Sequence, residues 1–152
     1  MNLESGWNAP RKSHLRLWRR GRRSTIGKPS ASFVEIVDNV RSYSFGNDVI
    51  VELSGEHDMS TIPRVEPAIA AAFTDRAMTI FDLTHVTYVD SSVLSMLLRA
   101  HKRLGERMRL VVADDTRVRR VFEITQIDRY IATFATLAAA LQPTIEERRS
   151  TT

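Results

Sequence analysis

The side chains with the most chemistry in this chain are Asp90, Ser91 and Ser92, within YVDSSVLSMLLRA at 88–100, where a β-type run meets an apolar helical period. At such a junction the first helical N–H groups lack intrahelical partners, and a short oxygen-bearing side chain can accept from them. A serine there also faces outward, within reach of another protein's active site. Phosphate on it would bring about −1.5 to −2 charges next to Asp90 and turn a neutral contact surface into a repulsive one. The triplet therefore reads as a helix cap or as a switch, and by spacing alone Ser92 and Ser95 are alternative acceptors.

Glu56, His57 and Asp58 form a second group that in principle supplies general acid/base chemistry. Neighbours in an extended segment point to opposite faces, so their adjacency does not assemble a catalytic pair. His57, His85 and His101 fall in different predicted elements without a metal-ligand spacing. With no cysteine in the chain, a thiolate site, a thiol nucleophile and a disulfide framework are excluded. On these residues no enzyme, no cofactor and no metal is expected.

The elements that must position these groups alternate in period. FVEIV and RSYSF read as extended pieces, Phe45-Gly46-Asn47-Asp48 as a turn, and VIVEL at 49–53 as the strand that completes a hairpin. Ser60 or Thr61 can cap a helix to about Phe73, with Pro63 in its first turn and Pro67 as a place to bend or delay it. MTIFDL at 78–83 predicts a covered strand, and VTYVD at 86–90 leads into the triplet. Val93, Leu94, Leu97, Leu98 and Leu104 then fall at helical spacing until Gly105 ends the helix through a left-handed residue.

MRLVVAD at 108–114 predicts another buried strand. A helix capped by Asp114, Asp115 or Thr116 follows, with Val118, Val121 and Phe122 inward and Arg117, Arg119 and Arg120 outward. YIATF predicts a strand and TLAAALQ a last helix stopped by Pro143. The sum is a single α/β domain of 152 residues or fewer, a mixed β-sheet with helices packed mainly on one side.

Charge divides the chain. Residues 1–30 hold eight basic residues against the single acid Glu4, a net of +7, so the total of +4 leaves −3 for the remainder. The basic character thus belongs to an N-terminal extension that reads as disordered, and direct nucleic-acid binding by the domain is not expected. Trp18 beside its arginines makes a weak contact with an anionic surface, or a partner-binding arm, alternatives to a plain solvated tail. No apolar run reaches membrane-spanning length and no secretory leader is recognised, so the expected location is the cytoplasm.

LSGEHD at 53–58, FDLTHVTYVDSSVLSMLLRAHKRL at 81–104 and RLVVADDTRVRRVFEITQIDRYIATFATLAAAL at 109–141 together resemble the STAS domain of bacterial anti-sigma factor antagonists. The resemblance implies a STAS domain at 31–142, followed by a polar tail at 143–152. It implies as partners an anti-sigma factor with serine kinase activity and a serine phosphatase, and a role in sigma-factor-dependent transcription and stress response. Carried onto this chain, the phosphoacceptor is Ser91 and its preceding acid Asp90, while Asp58 answers the family's Gly-Glu-x-Asp aspartate and lies near Ser91.

The partner surface so implied comprises Glu56, His57, Asp58, Asp90, Ser92, Val93 and Ser95. Val93 and Ser95 stand where the family usually has glycines, as does Gln126 further on, and His57 replaces a usually apolar residue. The other use of such a domain is as a non-switching STAS module, either a stress-signalling scaffold or the soluble subunit of a membrane transport system.

Overall fold

The computed structural model describes residues 34–37, 39–73, 78–143 and 149, and the N-terminal extension and most of the C-terminal tail lie outside them. Short turns set up the first half of the sheet. Strands β1 (Val34–Val37), β2 (Val40–Phe45) and β3 (Asp48–His57) pair antiparallel in succession. Gly46 opens the two-residue β2–β3 loop at φ 61°, a conformation that lacks a steric penalty only without a Cβ.

From β3 onward the strands run parallel, each connection carrying a helix: α1 (Ile62–Ala71), β4 (Thr79–Val89), α2 (Ser91–Leu104), β5 (Met108–Val111), α3 (Arg117–Thr125) and β6 (Ala132–Phe134). The order across the six-stranded sheet is the chain order. Successive right-handed crossovers to the next strand place α1, α2 and α3 on one face. There Val51, Leu53, Phe81, Leu83 and Leu110 meet Val65, Ile69, Met96, Leu97, Val118 and Phe122 in the main core. The other face holds Ile50, Ile80 and Val111 under α4 (Leu137–Ala140). With both faces covered, the central strands read as unbroken apolar runs.

The predicted mixed sheet with helices mainly on one side is therefore present, and four details differ from expectation. Residues 78–83 and 86–90 are not two pieces: β4 is one eleven-residue strand, and its extra residues opposite β3 are absorbed as bulges. β3 likewise continues beyond VIVEL through Ser54-Gly55-Glu56-His57. Pro67 sits inside α1 without ending it. The Pro63 carbonyl loses its donor, and packing of Ile62, Val65, Ala68 and Ile69 sustains the helix instead. Gly105 does end α2, but at φ 59° and ψ −135°, outside the left-handed helical well and in territory open almost only to glycine.

Candidate functional site

The carboxyl ends of β3 and β4 lie side by side, His57 in register with Val89, so the two segments that follow them share one corner of the molecule. Asp90 is the cap of α2. Its backbone is extended, and its Oδ1 accepts from the N–H groups of Ser92 at 2.8 Å and Val93 at 3.3 Å. Its Oδ2 accepts from the N–H of Met59 at 3.1 Å, tying the β3–α1 loop to the start of α2. Burial pushes the Asp90 carboxyl up, and the hydrogen bonds from Ser92, Val93 and Met59 outweigh it, holding the group below its ordinary range.

Asp58 organises its own loop. Its Oδ1 accepts from the hydroxyl of Ser60 at 2.6 Å, the N–H of Ser60 at 2.8 Å and the N–H of Thr61 at 3.2 Å. The Ser60 hydroxyl is the largest of the influences that hold Asp58 below the usual carboxylate range. Thr61 Oγ1 accepts in turn from the Asp58 N–H at 3.0 Å. Two ionised carboxylates thus stand at the corner, bridged by the Asp90–Met59 bond.

Ser91 occupies the first helical position and is exposed; its hydroxyl makes no hydrogen bond to the described residues. Its carbonyl accepts from the Ser95 hydroxyl at 2.8 Å, which occupies Ser95 one turn along the same exposed face. Ser92 is half-buried and Glu56 exposed. Among the three serines, geometry leaves Ser91 the one with a free outward hydroxyl. The cap itself is Asp90, and neither serine side chain is needed for it.

Two residues expected on the partner surface are not on it. Val93 is fully buried among the core residues of α2, because the third helical position points back toward the sheet, so it fills core volume rather than narrowing a contact. His57 is buried at the end of β3, where alternation turns it inward and Glu56 outward. Neither ring nitrogen has a partner at good hydrogen-bond geometry among the described residues. Burial pushes the imidazole below 6.5, against weaker opposing pulls from the Ser54 backbone and the Asp58 carboxylate, so it stands neutral at pH 7.

Sequence reasoning missed Met59 and Tyr88, both exposed, the first bound through its N–H to Asp90 and the second two residues before it. A lone methionine inside the polar turn Asp-Met-Ser-Thr was a usable signal for the first. Nothing in V-T-Y-V signalled the second, since its direction depends on a bulge. His57, His85 and His101 lie on three different elements, and among the described residues no cluster of three or more metal-ligating side chains forms. None of the described helices is long and apolar enough to cross a membrane.

This arrangement, a mixed sheet with helices mainly on one side and an Asp-Ser corner after β4, is that of a known domain class. The family model of the STAS domain matches residues 37–140, and the chain belongs to that family. Its fold is similar to that of an anti-sigma factor antagonist from Mycobacterium paratuberculosis, at 28% identity and a TM-score of 0.62, covering 67% of this chain and 89% of that one. It is also similar to an anti-sigma-factor antagonist (STAS) domain protein from Planctomyces limnophilus, at 17% identity and a TM-score of 0.57, covering 67% and 93%. The second likeness concerns the fold alone. No curated protein matches the chain.

Proposed function

We propose that this chain is an anti-sigma factor antagonist: it binds an anti-sigma factor that is also a serine kinase, and phosphorylation at Ser91 switches it off. The observation that carries this reading is the free, exposed Ser91 hydroxyl on a backbone fixed by Asp90. The Ser91 Oγ attacks the γ-phosphorus of ATP held by the kinase. The Oγ–P bond forms, the bond to the β–γ bridging oxygen breaks, ADP leaves, and the hydroxyl proton passes to a base of the kinase.

Asp90 already takes the Ser92 and Val93 N–H groups, so the added dianion finds those donors engaged and stands against the anionic nucleotide on the partner's side. Release of the partner lets it return to its sigma factor, and a serine phosphatase resets the switch. The chain itself is substrate and ligand, acting in the cytoplasm, and not a catalyst. Similarity to an antagonist at 28% identity supports the same reading.

The test is phosphorylation of the purified full chain by serine-kinase anti-sigma factors of the same genome with Mg-ATP, the site being located by mass spectrometry. The expected result is one phosphate on Ser91, none on Ser91→Ala, and loss of kinase binding by the phosphorylated chain and by Ser91→Asp. Phosphate on Ser92 or Ser95 moves the acceptor. No phosphate at all, with unchanged binding by Ser91→Asp, leaves a non-switching STAS module, a scaffold or a transporter's soluble subunit.

A further inference from the structure

Five large apolar side chains stand exposed among the described residues: Met59 at 74%, Tyr88 at 50%, Leu98 at 38%, Ile124 at 74% and Tyr130 at 70%. Two of them belong to the segments that meet at Asp90, the residue before Ser91. Tyr88 lies two residues before Asp90 and is paired with Glu56, and the Met59 N–H is bound to the Asp90 carboxylate. Helix capping requires neither side chain.

The exposure of Tyr88 is built into the strand. Val86 and Val89 both enter the main core, and in a regular strand a buried Val86 would bring Tyr88 to the same face. Thr87 is an extra residue between the pairs Gly55–Val86 and Glu56–Tyr88. This bulge resets the alternation, turning Tyr88 out and Val89 in. Met59 is displayed on a loop whose main chain is pinned at both sides, by Asp58 to Ser60 and by Asp90 to Met59 itself. An aromatic ring and an adaptable thioether on fixed backbone present apolar area with little ordering to lose on binding, and both types are enriched at the centre of protein interfaces.

Resting on the reading of Ser91 given above, we propose that Met59 and Tyr88 are the apolar anchors that hold this chain on its kinase partner and set which partner it accepts. The partner is then a protein with an apolar socket beside its nucleotide site. Glu56, paired with Tyr88, and Asp58, preceding Met59, border the anchors with negative charge, so the socket carries cationic side chains on that border while the nucleotide phosphates stand over Ser91. Ile124, near the end of α3, and Tyr130, in the α3–β6 connection, lie outside the segments that form the Ser91 corner and serve as controls of equal or greater exposure.

The probe is the purified kinase that phosphorylates Ser91, loaded with ADP and titrated calorimetrically into the full chain. Met59→Ser and Tyr88→Ser each weaken binding at least about tenfold and raise the KM of phosphorylation more than they change kcat. Ile124→Ser and Tyr130→Ser stay within about twofold, and thermal unfolding of all four matches wild type. Tyr88→His, which keeps a ring on β4, replaces Tyr88→Ser if serine loosens the strand.

Glu56→Arg also weakens binding, and more so at low ionic strength. Anchor variants that bind within twofold of wild type, while Ser91 is still phosphorylated, overturn the anchors and leave the switch standing. Equal losses at the two control sites overturn them as well, showing general apolar adhesion. Absence of any kinase that acts on Ser91 overturns the switch first and the anchors with it.

Discussion

On the face of the sheet covered by α1, α2 and α3, helices of 10, 14 and 9 residues meet a broad aliphatic layer, whereas on the reverse face Ile50, Ile80 and Val111 meet one helix of four residues. A single turn cannot sustain itself in water. Polar contacts hold α4 in place: Thr136 accepts from the Ala139 N–H at 3.2 Å, and the buried Arg109 donates to the carbonyls of Ala140 at 2.6 Å and Gln142 at 2.9 Å. Arg109 also lies over the ring of Phe134. One face is held by a broad apolar area, the other by a smaller patch under Leu137, Ala140 and Leu141 that a few directed bonds reinforce. The Ser91 corner is rooted in the first, through Val93, Met96 and Leu97 of the helix that begins with Ser91.

The contrast can be broken by two truncations measured together. Leu97→Ala opens a cavity in the main core, where collapse is difficult, and unfolding in urea is expected to show a loss of about 3–5 kcal/mol. Arg109→Leu keeps apolar bulk but leaves the α4 carbonyls without their charged donor, a loss of about 2 kcal/mol. Its signature is local: amide exchange accelerates at Ala140 and Leu141 while that of β4 is unchanged. If Arg109→Leu instead destabilises the whole sheet as much as Leu97→Ala does, the two faces are not separately held.

Much of this architecture was legible in the sequence because its signals are local. The helix following Asp90 announces itself by the spacing of Val93, Leu97 and Leu104, and α3 by Val118 and Phe122 under a face that carries Arg117 and Arg120. Its cap, Thr116, was one of three candidates, and its hydroxyl accepts from the Arg119 N–H at 3.1 Å. What stayed hidden depends on neighbours in space. Bulges in β4 exist only relative to β3, so the fused strand, the outward Tyr88 and the inward Val89 could not be read along the chain. Residue type also misled at the corner: a histidine beside Asp58 suggested a surface group, yet strand parity buries it. The placement of Asp90 as cap was readable, but its second oxygen's reach to Met59, 31 residues away, was not.

That second oxygen sharpens the comparison, since the corner combines rooting in the large core with a directed bond of the kind that holds α4. Asp90→Ala leaves the N–H groups of Ser92, Val93 and Met59 to water, and a loss of about 1 kcal/mol at pH 7 is expected in urea unfolding. The dependence on pH follows from the lowered carboxyl. A folded-state value below the ordinary 3.8 means that the stabilisation is complete above that value and is lost as pH falls through the lower folded one. The difference between wild type and Asp90→Ala therefore shrinks on acidification below about pH 4. A difference that persists undiminished at pH 2 would assign the effect to packing of the side chain and not to its charge.

The smallest effect concerns the C-terminus of α3, where Gln126 sits at φ 56° and ψ 27°. Its N–H closes the helix onto the carbonyls of Glu123 and Phe122, the work usually given to glycine, because a Cβ strains the left-handed conformation. The Gln126 side chain is exposed. Gln126→Gly removes the strain with little packing lost, and even after the extra freedom of the unfolded chain it is expected to stabilise by about 0.5–1 kcal/mol in thermal unfolding. Val93, another position where the resemblance leads one to expect glycine, obeys the opposite logic. It sits in helical conformation inside the core, so glycine there would remove buried area and weaken the helix. Two positions that look alike as missing glycines thus differ in sign, one governed by backbone conformation and the other by what the side chain fills. A destabilised Gln126→Gly would show that backbone strain at this cap is smaller than the entropy glycine adds to the unfolded chain.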